Sequence, residues 1–285
     1  MFLQRLFSTI ILLGLFSASV FWQGDGGRAC FTVLAVAGIL GAVWEFAKII
    51  EKQDMPSYPL WTGFAILLPV LGVLWKDVMP VLIMLLLVGL VIAFCICLWI
   101  QLLCSGNRLE VLKKIMNSAG MYILFIVPFI ILAAVQDDRM LFLYLILGTK
   151  IGDIGAYVVG SLSNKITGGR NHKLIPSISP GKSWEGLIGG LCISVGFAFA
   201  LFPAVTHHEF PVWVPVIPGV LLFFFGAAGD LAESSLKRIC GVKDSGRILP
   251  GIGGVLDLVD SLMLNAPVFV VMMYFLDMFM FFLKK

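Results

Sequence analysis

Charge is scarce in this chain. Only 13% of its 285 residues are Asp, Glu, Lys or Arg, while 60% are hydrophobic and the mean hydropathy is +1.02. A soluble domain with so little charge could not cover its surface, which leaves a polytopic membrane protein. No large excess of either sign exists, the net charge being +3, so no nucleic-acid partner is expected. Six cysteines are present, without zinc-finger spacing, and Cys95-x-Cys97 lies in an apolar run with no histidine nearby. They read as small buried hydrophobes in a reduced compartment. The pattern G-x-x-x-x-G-K-[ST] is absent, which excludes a Walker-type loop. Solenoid repeats and low-complexity linkers are missing too. Met1 to Arg5 and the apolar run to Trp22 resemble a signal peptide but lack a clear A-x-A site, so an uncleaved first helix is expected.

What is present is a succession of apolar spans, at roughly 6–23, 29–50, 59–75, 78–104, 118–135, 139–160, 184–203, 212–232 and 262–283. The expected fold is all-α, with about nine transmembrane helices and two polar cytoplasmic loops. Lysine and arginine set the orientation. With the N-terminus inside, one inner loop collects Lys165, Arg170, Lys173 and Lys182, and the other Lys237, Arg238, Lys243 and Arg247. The outer segments hold only Arg28, Lys76, Arg139 and the terminal Lys284-Lys285. This asymmetry places both polar loops in the cytoplasm. Trp22, Trp61, Trp75 and Trp213 fall near span ends, as interfacial anchors do. Residues 1–147 form an N-terminal hydrophobic region nearly free of motifs, and 148–285 a catalytic region that carries the polar groups.

Three constellations stand out in that second region. Within the sixth span, Lys150, Asp153 and Tyr157 share a helical face, and Gly152, Gly155 and Gly160 permit close packing. Charges inside a span point to function, the alternative being a self-neutralising Lys150–Asp153 pair. The loop from Lys165 to Trp184 ends in Ser179-Pro-Gly-Lys-Ser-Trp-Glu185. Amides near Gly181, with Lys182 and Ser183 at a helix start, would cradle an anion; the alternative is ordinary positive-inside charge. In that loop His172 reads as a bystander, and His207-His208 receives no role. The third constellation, Gly229 to Ser261, is the densest in charge. Asp230, Glu233, Ser234, Lys237 and Arg238 fall on one helical face, and Asp257 and Asp260 stand three apart after a glycine-rich turn. Carboxylates there could hold a hard cation while Lys and Arg hold phosphate. Lone Cys240 reads as structural.

Ser234-Ser-Leu-Lys-Arg238, Lys243-Asp-Ser-Gly246 and Leu249-Pro-Gly-Ile-Gly-Gly-Val-Leu-Asp-Leu-Val-Asp-Ser261 closely resemble the defining motif of the phosphatidate cytidylyltransferases, the CDP-diacylglycerol synthases. Gly152 to Tyr157, Ile178 to Gly186 and Gly229 to Ser234 resemble that family's other blocks, in its order. The resemblance covers residues 149 to about 267. It implies transfer of CMP from CTP to phosphatidic acid in phospholipid biosynthesis, giving CDP-diacylglycerol and pyrophosphate. It also implies a Mg²⁺ cofactor with room for a second, monovalent cation, and an integral protein of the inner (cell) membrane whose active site faces the cytoplasm. The partners it implies are CTP, phosphatidic acid and the lipid bilayer, and a homodimer is one assembly it allows. Carried onto this sequence, Asp230, Asp257 and Asp260 are the expected metal-facing and catalytic carboxylates, with Lys237 and Asp244 also catalytic and Glu233 in reserve. Arg238, Lys243, Ser234, Ser179, Lys182, Lys173 and Asp153 are the expected substrate contacts. Two positions depart from the family pattern: Ile252 replaces the usual His of the turn, and Leu258 replaces an Arg. Two rival readings remain. One is a membrane enzyme using CTP on another lipid; the other is an ion-coupled transporter with Asp153 and Asp230 as relay carboxylates.

Overall fold

The fifth and seventh described helices of this protein end at capping or turn residues rather than at the edges of the apolar runs. The computed structural model describes residues 2–75, 108–206, 211–246, 248 and 253–283, apart from 23 and 137. The described helices are α1 (Phe2–Phe21), α2 (Asp25–Glu51), α3 (Pro59–Leu74), α4 (Arg108–Val135), α5 (Arg139–Ile166), α6 (Trp184–Thr206), α7 (Val216–Ile239) and α8 (Leu256–Leu283). Six of them, α2 and α4 to α8, are long and apolar enough to cross a membrane. Helix α3 is shorter, at 16 residues. The span expected at 78–104 lies outside the described residues, as do His207-His208, Arg247 and Ile252. The protein is an all-α polytopic membrane protein.

Several helices outrun their apolar cores. At about 1.5 Å per residue, the 28 residues of α5 reach about 42 Å, against about 30 Å of bilayer hydrocarbon. Asp138 caps its start, Oδ1 accepting from the amides of Met140 and Leu141 at 3.2 and 3.1 Å. Gly168 and Gly169, at positive φ, turn the chain after its end. Helix α7 likewise runs seven residues beyond the apolar span and stops before Gly241, which has φ +67°. Its polar last turns therefore carry Glu233, Ser234, Lys237 and Arg238 as one rigid face.

The chain forms two compact units that are not contiguous in sequence. The first comprises residues 1–134 and 239–259, the second 135–238 and 260–285. In the first, Phe31, Ala35, Ile39, Ala42 and Val43 make a buried stripe on α2 at helical spacing. Phe46 of α2 meets Phe125 of α4 edge-on, with ring centroids 5.5 Å apart. The 3-residue backbone neighbourhood of Pro56 is tied to α4: Asn117 Nδ2 donates to Pro56 O and Tyr58 N donates to Ser118 Oγ, both at 2.8 Å.

In the second unit, α5 and α6 pack with their backbones close together. A Cβ on Gly186 would lie 2.7 Å from Ala156 O, and one on Gly160 would lie 3.5 Å from Gly186 Cα. Tyr144, Phe202 and Phe269 fill the core between α5, α6 and α8. Asn265, fully buried on α8, donates to Thr149 Oγ1 at 3.0 Å and to Leu222 O at 2.9 Å. One feature was not anticipated from sequence. The loop before α6 folds into an antiparallel hairpin, β1 (Lys173–Ile175) and β2 (Ser179–Ser183). Gly181, Lys182 and Ser183 thus lie in a strand that runs straight into α6. The strands are short, three and five residues, and β2 is polar and contains Pro180, so no alternating pattern announces them.

Candidate active site

The hairpin and three helices of the second unit enclose a cavity of about 470 Å³. Asp153 from α5, Lys173 from β1, Ser179 and Lys182 from β2, and Asp230 from α7 line it. These five residues, scattered over some 80 positions, were all singled out as site candidates. Ser183 explains how β2 hands over to α6: its hydroxyl accepts from Gly186 N at 3.1 Å, an N-cap that fixes the helix start one residue later. His172 serves the same junction. Its amide and its Nδ1 lie 3.1 and 2.8 Å from Glu185 Oε1, bracing the hairpin against the first turn of α6.

The cavity wall is electrostatically dense. Lys182 Nζ stands 2.8 Å from Asp230 Oδ2. On the same face of α7, Ser234 Oγ donates to Asp230 Oδ1 at 3.4 Å, and Lys237 Nζ pairs with Glu233 Oε2 at 2.6 Å. Arg238 reaches the hairpin turn, Nε donating to Ile178 O at 3.3 Å. From α8, Asp260 joins α7: carboxylate oxygens of Asp230, Glu233 and Asp260 all lie within 4.8 Å of one another. Gly229 permits this approach, because a Cβ there would come 2.6 Å from Asp260 O. Lys150 makes its ion pair with Asp260 Oδ1 at 3.8 Å, across to α8, rather than within α5. The Ser261 hydroxyl sits between the helices, 2.8 Å from Asp260 Oδ1, 3.4 Å from Asp153 Oδ2 and 3.4 Å from Lys150 Nζ.

The donor set fits a hard divalent cation. Mg²⁺ takes oxygen ligands at about 2.1 Å, so opposite ligands stand about 4.2 Å apart, and a trio whose oxygens all lie within 4.8 Å of one another can meet that requirement. Counted ionised, Asp153, Asp230, Glu233 and Asp260 are matched in number by Lys150, Lys173, Lys182 and Lys237. A second, larger cavity in this unit, about 560 Å³, is lined by apolar groups such as Trp213, Phe225, Met272 and Phe279. It offers no carboxylate or ammonium to a phosphate.

A model of the cytidylyltransferase family matches residues 3–276 of this sequence. The chain belongs to the cytidylyltransferase family. Relatives with the name phosphatidate cytidylyltransferase include one from Staphylococcus haemolyticus, 43% identical over 132 residues, covering 46% of this chain and 48% of that protein. One from Staphylococcus aureus strain COL is 46% identical over 125 residues, covering 44% and 45% respectively. The matched region thus spans about half the length of these curated relatives.

The remaining candidates lie in the first unit. Lys243 and Asp244 line a cleft with Val242 and Gly246. Asp257, in the first turn of α8, accepts from Gly254 N at 3.0 Å through Oδ2. The third carboxylate of the trio in the second unit is Glu233, which the sequence placed behind Asp257. Leu258 is half-buried in the first turns of α8. Sequence reasoning missed Ser261 and Glu45. Ser261 gave no signal, being one serine next to an aspartate. Glu45 did: it is an acid in the middle of an apolar span.

Proposed function

We propose that this chain is a phosphatidate cytidylyltransferase, transferring CMP from CTP to phosphatidic acid with release of pyrophosphate. The observation that carries the reading is the cavity where Asp230 of the carboxylate trio meets Lys182, Lys173 and Ser179. It combines a cation site with phosphate-binding groups in a unit built of membrane-length helices. The family membership and the names of the relatives support the same reading.

The chemistry suits these residues. A phosphate oxygen of the lipid, already anionic at neutral pH, attacks the α-phosphorus of CTP. The new P–O bond forms as the bond from the α-phosphorus to the bridging oxygen breaks, and pyrophosphate leaves with that electron pair. No side chain has to act as a strong base or as a covalent nucleophile. The obstacle is repulsion between two polyanions, and the protein's task is to hold them in line. Lys182 and Lys173 neutralise phosphate oxygens at the cavity wall, and Ser179 donates a hydrogen bond. Lys237 and Lys150 hold the carboxylates of α7 and α8 in place, while Arg238 and Ser234 order the face that borders the hairpin. Asp230, Glu233 and Asp260 would hold Mg²⁺, which would supply charge neutralisation to the phosphates. The motif resemblance adds Asp257 and Asp244 to the catalytic set and Lys243 to the substrate contacts. The excess of Lys and Arg in the loops between the fifth and final helices supports a cytoplasmic site on the inner (cell) membrane.

The test is product analysis with purified protein in detergent. Pyrophosphate release should require CTP, phosphatidic acid and Mg²⁺ together, with CDP-diacylglycerol as the lipid product. Release of CDP with a phosphorylated lipid would identify a kinase instead, and folded protein with no turnover would overturn the reading.

A further inference from the structure

The first half of the chain looks like plain membrane anchor, yet its helix α2 carries a carboxylate in its interior. Glu45 is 2% exposed, among the buried Ala42, Val43, Ala47 and Ile49. An alanine or leucine there would pack without the cost of desolvating a carboxylate. The side chain is instead directed at the segment that follows α7. Oε2 accepts from Leu256 N at 2.9 Å and from Ser245 Oγ at 3.4 Å. The Leu256 amide is one of the N-terminal donors of α8 that no intrahelical carbonyl can satisfy. Glu45 therefore caps α8 from 211 residues away in sequence.

The segment is shaped around this carboxylate. A Cβ on Gly254 would lie 2.5 Å from Glu45 Oε2, and a Cβ on Gly246 would overlap Glu45 Oε1. One turn earlier on α2, Gly41 receives the neighbouring residue, since a Cβ there would come 2.8 Å from Val255 Cγ2. Gly41 and Glu45 share a helical face, so α2 grips residues 255 and 256 at two successive points. Gln53, two turns further on, donates through Nε2 to Ile239 O at 2.9 Å, at the other end of the same segment.

We infer that Glu45 is the positioning residue for the stretches Lys243–Gly246 and Gly253–Asp257, holding them against α2 by accepting from Ser245 and from the first amide of α8. These stretches contain Asp244 and Asp257, which the motif resemblance assigns to catalysis, and Lys243, which it assigns to the substrate, so the inference rests on the proposed cytidylyltransferase reaction for its effect on rate. The motif-poor half of the chain then contributes to the reaction through an acid buried in α2.

The test combines hydrogen exchange with turnover, on full-length protein in detergent. In Glu45→Ala, peptides covering residues 243–256 should exchange about tenfold faster, the loss of one buried hydrogen bond, while peptides from α5 and α6 keep their protection. The kcat should fall about a hundredfold with KM for CTP within about threefold, as expected when reacting groups are misplaced rather than removed. Glu45→Gln keeps an acceptor oxygen, so it should restore both protection and most of kcat. It also carries the test if the alanine variant does not fold. Unchanged exchange in folded Glu45→Ala would overturn the inference. So would faster exchange with unaltered kcat, or a Glu45→Gln variant as loose as the alanine one. If the wild-type protein shows no cytidylyl transfer, the reaction assignment fails, and the exchange data still decide whether Glu45 holds the segment.

Discussion

Lys182 Nζ lies 2.8 Å from Asp230 Oδ2, joining the last strand of a hairpin to the first carboxylate of α7. This pair puts the ammonium proposed to bind phosphate beside a carboxylate proposed to hold the metal, each setting the position of the other. The ammonium is enclosed at this point and tied to an element that β pairing and the Ser183 cap already hold in place.

Lys182→Met is therefore expected to fold and to bind CTP weakly. Removing a charged hydrogen-bond donor to a phosphate should raise KM for CTP between about 10- and 100-fold. Steady-state kinetics over a CTP titration checks this. An unchanged KM would assign Lys182 to the ion pair alone.

The carboxylate trio predicts a metal dependence with a residue-specific signature. EDTA should abolish turnover and added Mg²⁺ restore it. Asp230→Asn, Glu233→Gln and Asp260→Asn should each lower kcat by at least about a hundredfold and shift the Mg²⁺ dependence to higher concentration, since each removes one of three ligands. Near-normal Mg²⁺ titrations in any folded variant would remove that residue from the set.

Helix approach at the trio rests on Gly229. Its substitution by alanine would press a methyl group against the backbone of Asp260 and Ser261, at 2.6 and 3.1 Å. Backbone cannot yield as a side-chain tip can, so α7 and α8 must part. Gly229→Ala should lose most activity. Gly196→Ala on α6, with open space around its Cβ, should keep activity and gain up to about 1 kcal/mol from helix propensity. Activity and thermal unfolding of the two variants give the comparison.

Asn265 separates stability from catalysis. Asn265→Ala loses bonds to Thr149 Oγ1 and Leu222 O inside the second unit. The expected cost is about 1–2 kcal/mol, read as a lower unfolding midpoint in detergent, with kcat retained well below that midpoint.

Much of this protein could be read from its residues alone. Low charge and long apolar runs determined a membrane-spanning all-α chain, because a bilayer leaves the backbone few other solutions. The spacing of Asp230, Glu233, Ser234, Lys237 and Arg238 determined one polar helix face, because helical periodicity is local. The motifs of the second half determined the family. Which groups meet across helices was decided only in three dimensions. Lys150 turns to Asp260 instead of Asp153, a choice made by the packing of α5 against α8 that no spacing within α5 encodes. Glu233 completes the carboxylate trio because Gly229 lets α8 come close, while Asp257, equally acidic, takes up the amide of Gly254. The β1–β2 hairpin formed from short strands without alternation, and Glu45 found its partners some two hundred positions downstream. Local periodicity is written in the sequence one turn at a time. Contacts between distant turns depend on how closely two backbones can approach, and only the folded chain settles that.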